Sequence, residues 1–397
     1  MIYPKIAIVV SVASSLVFSG LLISSHAQAR QYVPADGKVV VEHLKKDALQ
    51  RQLQTMRQEL NAQPQNVSLA AKLARAYIAQ TRNTGDPRYL GYAQAALSPW
   101  WKEVQAPSEI LVLRATILQS THQFSAALND LDLVLKLDRE DPQAWLTRAT
   151  ILQVLGRYDE AKLSCARLQN VAPEIITSTC LNQVASLNGE AEKSYHALVA
   201  TLKKTSKIDA GIKIWVLTLL AEIAQRRGDA VAAQTWFGQA MQTDTPDSYL
   251  LGAYADFLLD QGRFPEVLNL LKDKTRNDSL LLRYAIALQK QNAPNAAEQI
   301  GVLEQRFKAA SMREDTVHQR EHARFELQLK NNSAAALVLA QKNWAVQKEP
   351  ADLRIYLEAA LANKNPLAAA PALEWMKKSK LEDKVIQKLA LKLNGVL

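Results

Sequence analysis

Apolar residues recur along most of this chain at three- and four-residue spacing, the period of one face of an α-helix. Leu49, Leu53, Met56 and Leu60 form one such stripe and predict an amphipathic helix over 42–61. The spacing also predicts helices over 66–80 and 86–97, parted by the polar loop Thr81-Arg82-Asn83-Thr84-Gly85. Farther on, 278–310, 313–347 and 351–379 each read as helix, short polar break, helix. The breaks are Gln291-Asn292, Asn331-Asn332 and Lys364-Asn365, and 381–394 reads as a lone closing helix. Period-two stretches rich in Val, Ile and Thr are nearly absent, so a sheet has little to be built from.

The centre of the chain repeats itself. Residues 114–119 and 148–153 both read Arg-Ala-Thr-Ile-Leu-Gln, an offset of 34. At that offset Leu111 pairs with Trp145, Ala115 with Ala149, Leu118 with Leu152, Phe124 with Tyr158 and Ala127 with Ala161. Small alanines let two helices approach closely, while the larger residues plug the gap to the next helix and cover the turn. Gly156 sits where a left-handed residue ends a helix cheaply, and Pro173 opens the next unit. Together Trp145, Ala149, Leu152, Gly156, Tyr158, Ala161 and Pro173 resemble the tetratricopeptide-repeat signature over one full unit. Gly189, Gly228 and Gly262 carry the register on with drift, and the signature fades after about residue 272.

The resemblance implies an all-α fold, a right-handed superhelical solenoid of antiparallel helix pairs behind an N-terminal signal segment. Its parts are a signal segment over 1–29, an N-terminal extension with an amphipathic helix over 30–65, and an atypical helix pair over 66–107. Repeats over 108–272, degenerate helix pairs over 273–380 and a capping helix over 381–397 complete it.

The first segment changes the picture of where the chain works. Lys5 precedes an uncharged run from Ile6 to Ser24, and Ala27-Gln28-Ala29 then forms a small-x-small cleavage pattern before Arg30. An export signal is expected, with an uncleaved anchor as the alternative; after cleavage no membrane span is expected, and the protein lies in the periplasm. The formal net charge is +9, and loss of residues 1–29 removes only Lys5, which leaves +8. Behind an export signal that charge points to acidic envelope components, not to nucleic acid. Part of it gathers at the end, where Lys364, Lys377, Lys378, Lys380, Lys384, Lys388 and Lys392 face only Glu374, Glu382 and Asp383.

Candidate chemistry is sparse. Cys165 and Cys180, the two cysteines, are a disulfide candidate in an oxidising compartment, with two buried thiols as the alternative. His318-Gln319-Arg320-Glu321-His322 matches the H-x-x-E-H string of one zinc hydrolase group, with Glu326 a turn farther on as a weak third ligand. Helical spacing of His318, His322, Phe325 and Leu329 also reads as a packing stripe against the neighbouring helix. No other catalytic constellation and no cofactor motif is present, so an enzyme is not expected.

First helices of successive units line the concave face of such a solenoid, so residues at equal offsets form ladders. Thr116 with Thr150 and Gln119 with Gln153 read as a polar groove. Arg114 with Arg148 reads either as a paired cationic site or as bridges to Asp130 and Asp132. Trp215, Glu222, Tyr249 and Asp256 fall at comparable places, and Trp100-Trp101 reads as a packing plug or an exposed platform. Two functions are expected: a scaffold or adaptor in envelope assembly that holds a protein partner in its groove, or an accessory factor of polysaccharide or surface-protein export that meets an acidic polymer.

Overall fold

A computed structural model describes residues 48–243, 246–313 and 317–395, residue 394 by its backbone alone. The expected signal segment over 1–29, with Ala27, Ala29 and Arg30, and the extension as far as residue 47 lie outside the described residues. From Leu49 onwards the chain forms one compact unit.

Helix α1 (Ala48–Ala62) precedes nine helix pairs. Unit 1 joins α2 (Val67–Thr84) to α3 (Arg88–Ala96), unit 2 joins α4 (Ser108–Ser120) to α5 (Phe124–Leu137), and unit 3 joins α6 (Pro142–Val154) to α7 (Tyr158–Ala166). Units 4 and 5 are α8 (Glu174–Ser186) with α9 (Ala191–Lys204), and α10 (Ala210–Arg227) with α11 (Ala230–Met241). Units 6 and 7 are α12 (Ser248–Asp260) with α13 (Phe264–Leu271), and α14 (Asp278–Lys290) with α15 (Ala296–Met312). Units 8 and 9 are α16 (Gln319–Gln328) with α17 (Ser333–Val346), and α18 (Pro350–Ala362) with α19 (Ala370–Ser379); α20 (Lys384–Asn394) closes the chain. No strand occurs among the described residues. The fold is thus an all-α solenoid of helix pairs.

A single backbone device makes every unit. In all nine, the turn between the two helices holds a left-handed residue with φ between 51° and 79°. It is glycine in units 1, 3, 4, 5 and 6, and His122, Asn292, Asn331 and Lys364 in the others. The pairs after residue 272 lack the glycine signal in the sequence but keep the turn geometry. Unit 1 departs from expectation in one respect: α2 runs through Thr84, so the predicted loop at 81–85 is largely helix, ended by Gly85 at φ 68°.

The alanines do the work their size allows. Ala115, Ala127, Ala149 and Ala161 are fully buried between the helices of units 2 and 3, and Leu111 beside them is buried too. Trp145 packs half-buried and donates its indole N–H to the Arg139 carbonyl.

The ribbon of pairs winds back onto itself. Ser248 Oγ donates to the Arg82 carbonyl and Asn277 Nδ2 to the Thr84 carbonyl, so the turn of unit 1 meets the edge of units 6 and 7. Two units along the same happens: Lys348 N–H donates to the Val154 carbonyl and Trp375 lies 6.0 Å from Tyr158, ring centre to ring centre. Units five or six apart are therefore neighbours, and the first helices enclose a lumen. Helix α20, with Ile386 and Leu393 buried, packs on α18 and also reaches α10 in the middle of the array, and Leu381 is buried just ahead of it.

Candidate functional site

Each of the repeated hexamers opens on an arginine that bridges to the following helix. Arg114 is buried, and all three of its guanidinium nitrogens are engaged: Nε and Nη2 donate to Asp130 at 2.7 and 2.6 Å, and Nη1 to the carbonyls of Trp100, Trp101 and Glu103. It staples the loop of the two tryptophans to α5, and Trp100 is a buried plug. Arg148 repeats the contact at the same offset, with Nη1 donating to Ser164, which stands where Asp130 stood, and Nε to Asp132. Of the two readings of 114 and 148, the structure shows the bridges: both arginines reach an acid or hydroxyl of the following helix, and all three guanidinium nitrogens of Arg114 are bonded. Thr116 and Thr150 turn their hydroxyls back to the carbonyls of Val112 and Leu146. Gln119 is half-exposed, whereas Gln153 is buried.

Farther along, the first helices carry a charged lumen. Asp256 of unit 6 accepts from Arg324 of unit 8 at 2.6 Å and also from Arg283 of unit 7. Asp260 takes Arg354 of unit 9 bidentately at 2.7 and 2.8 Å. The Arg324 and Arg354 pairs join helices two and three units apart, across the concavity. Burial pushes the Asp256 carboxyl up, but the Arg283 and Arg324 guanidiniums outweigh it and hold it well below the usual carboxylate range.

Tyr249 and Glu222 share this concave wall, the phenol donating to Oε1 at 2.7 Å. Tyr249 is crowded by the wall yet 63% of it remains open to solvent, because a concave surface surrounds without covering. Burial raises the Glu222 carboxyl above its ordinary range, and the Glu222 charge raises the Tyr249 phenol. Glu349, N-cap of α18, accepts from Arg320 at 3.1 Å. Burial and the adjacent Asp352 charge push its carboxyl up to about 7. Trp215 is half-buried and donates to Gln183 Oε1 at 2.9 Å. Trp215, Tyr249 and Gln153 thus sit on the concave side, while Arg114 does not face it.

Two residues of this wall had no sequence signal. Arg226 reads as an ordinary basic end of a helix before Gly228, and Glu349 as a residue before a helix-opening proline. The spacing of Glu222 and Arg226, one helical turn, is the only trace of their shared face.

The H-x-x-E-H string resolves into packing. His318 stands at the N-cap position of α16, and the His322 ring stacks flat on Phe307 at 4.8 Å. His322 Nε2 lies 3.6 Å from Glu326. Glu321, the would-be base, is buried against Arg320 at 3.0 Å; burial raises it, but Arg320 prevails and holds it at about 2. A carboxylate so stabilised is a poor proton acceptor near neutrality. Cys165 of α7 and Cys180 of α8 are joined by a disulfide, with Cα atoms 5.5 Å apart. No described helix is long and apolar enough to cross a membrane.

Fold and site define a helix-pair solenoid with a charged, accessible lumen, and this arrangement fits a tetratricopeptide-repeat protein. No family model and no curated protein matches the chain. Among solved structures, the Cut9–Hcn1 hetero-tetramer of the APC/C is similar at 13% identity and a TM-score of 0.47, over 83% of this chain. The present chain spans only 63% of that one. Human IFIT1, as a dimer with PPP-AAAA, is similar at 15% identity and a TM-score of 0.42, over 89% of this chain and 86% of its own. A tetratricopeptide repeat protein from Parabacteroides merdae is similar at 13% identity and a TM-score of 0.30, over 81% and 98%.

Proposed function

We propose that this protein is an exported scaffold that holds a segment of a protein partner against its concave surface, in assembly or biogenesis of the cell envelope. The observation that carries the reading is Tyr249, a large aromatic side chain lying in the concavity and 63% open to solvent. Aromatic residues in a crowded wall are the favoured anchors of protein interfaces. Export to the periplasm is supported by the signal-like first segment and by the Cys165–Cys180 disulfide, a bond that persists in oxidising compartments. The test is capture from an envelope fraction by wild type and by Tyr249→Ala at low and moderate salt. A protein retained at both salts by the wild type and lost by the variant supports the reading; equal retention by both overturns it.

The second reading, contact with an acidic polymer, is favoured by the far end of the chain. Lys377, Lys378, Lys380, Lys384, Lys388 and Lys392 are exposed, and none forms an ion pair among the described residues. Two of the three acids nearby are engaged with backbone, Glu382 accepting from Ala191 N–H and Asp383 from Val385 and Ile386 N–H. Binding of this kind should collapse between low and moderate salt, as screening shortens the reach of exposed charges.

A further inference from the structure

Behind the Tyr249–Glu222 pair lies a cavity of about 180 Å³, walled on one side by α6, α8 and α10 and on the other by α18 and the start of α20. Most charges on its walls are already matched. Asp256 holds two arginines, Arg354 holds Asp260 and Glu358, and Asp383 caps α20. Arg226 is different. Its Nη2 donates to Ser186 Oγ at 2.9 Å, its buried Nε has no partner, and no acid among the described residues pairs with it.

Glu222 stands one turn before Arg226 on the same face of α10, where residues four apart have Cβ atoms roughly 5–6 Å from each other. The two are not ion-paired, because the guanidinium turns to Ser186 and the carboxylate to Tyr249. Gln153, buried on the same wall, makes no side-chain hydrogen bond to a described residue, and Gln183 has only its oxygen engaged, by Trp215. Apart from Gln225 and Glu349, the rest of the lining is apolar, chiefly Leu187, Leu219, Pro350 and Ile386. A cation and an anion side by side, two amides and an apolar wall select a ligand with the same layout.

We propose that this cavity binds a free α-amino acid with an aliphatic side chain, its carboxylate on Arg226, its ammonium on Glu222 and its side chain against Leu187, Leu219, Pro350 and Ile386. The adjacency of the two protein charges argues for adjacent ligand charges, and excludes a long zwitterion. The volume lies below the range of about 300–1,000 Å³ usual for larger organic ligands, which fits a metabolite of amino-acid size. Glu349 faces the same space, so an ammonium there meets a second carboxyl. Burial leaves both carboxyls under-stabilised as anions, and a bound ammonium relieves this. Because one wall belongs to the middle units and the other to the closing end, the ligand would also clamp the two together.

This inference does not rest on the partner-binding reading and is tested without any partner. Full-chain protein is titrated calorimetrically with L-leucine, with 4-methylpentanoate, which lacks the amine, and with 3-methylbutylamine, which lacks the carboxylate. The expected result is one saturable leucine site, with each half-analogue weaker by about tenfold or more. Arg226→Met and the near-isosteric Glu222→Gln should each weaken leucine by about tenfold or more, with helical content unchanged by circular dichroism. Absence of saturable leucine binding up to roughly 10 mM, or a half-analogue that binds as well as leucine, overturns the proposal. So does unaltered leucine affinity in folded Glu222→Gln.

Discussion

Tyr249 of unit 6 donates its phenolic hydrogen to Glu222 of unit 5 across 2.7 Å, on the concave wall where most other charges are locked in ion pairs. The bond steadies the ionised form of a carboxyl that burial would otherwise raise further. Tyr249→Phe should therefore shift the Glu222 titration upward. Carboxyl-carbon NMR of glutamate-labelled protein reads this directly, and an unmoved Glu222 would refute the pairing. Stability should change little, by under about 1 kcal/mol, because the ring is largely exposed and a single hydrogen bond contributes about that much.

Glu349 makes the fold pH-sensitive in a direction opposite to that of a salt-bridged acid. Its carboxyl is raised to about 7 in the fold, from an ordinary 4.5. Between those values the folded chain binds more protons than the unfolded one, so this group lowers stability as pH rises from about 5 to 7. Glu321, held at about 2, acts the other way, and its contribution is present above 4.5 and lost as pH falls towards 2. Denaturation midpoints of Glu349→Gln measured from pH 5 to 8 should fall less steeply than those of wild type, whereas an identical pH slope would place the raised carboxyl elsewhere.

Arg114 is a buried guanidinium with five hydrogen bonds, so truncating it strands Asp130 and three carbonyls. Arg114→Ala should cost about 3–5 kcal/mol by chemical denaturation. Arg148→Ala returns the half-exposed Asp132 to water and leaves the buried Ser164 hydroxyl still bonded to the Glu160 carbonyl, so it should cost about 1 kcal/mol. Equal costs would mean that the bridge at 114 is not the staple described.

Lys364 occupies the left-handed turn of unit 9 at φ 52° and is exposed. A side chain there costs roughly 1–2 kcal/mol, partly offset by the greater freedom glycine has when unfolded. Lys364→Gly should raise stability by about 0.5–1 kcal/mol, whereas Lys364→Val should lower it; thermal melts of the two variants decide the sign.

The helix pairs were legible because each is local: a stripe at helical spacing, small residues at the closest approach, and a turn residue that tolerates positive φ. Where Asn292, Asn331 and Lys364 replaced glycine the family signal faded, yet a polar break still marked the turn. The winding was not legible. Arg324 meets Asp256 across 68 positions and Arg354 meets Asp260 across 94, and no periodicity in the chain announces such pairs. The two identical hexamers also misled in part. Arg114 and Arg148 repeat as letters and as bridges to the following helix, but Gln153 is buried by the returning end of the chain whereas Gln119 is not. Sequence repetition fixes what a residue does within its unit; its exposure depends on which distant unit lies above it.

Docking of a partner against the concave wall is best examined with a photo-crosslinking residue placed at Tyr249 or, on the opposite helix layer, at Val231, which is 80% exposed on α11. Irradiation of living cells should give a discrete protein adduct from position 249 and none from 231. Adducts from 231 with none from 249 would mean that the partner sits on the outer layer and that the concave reading is wrong.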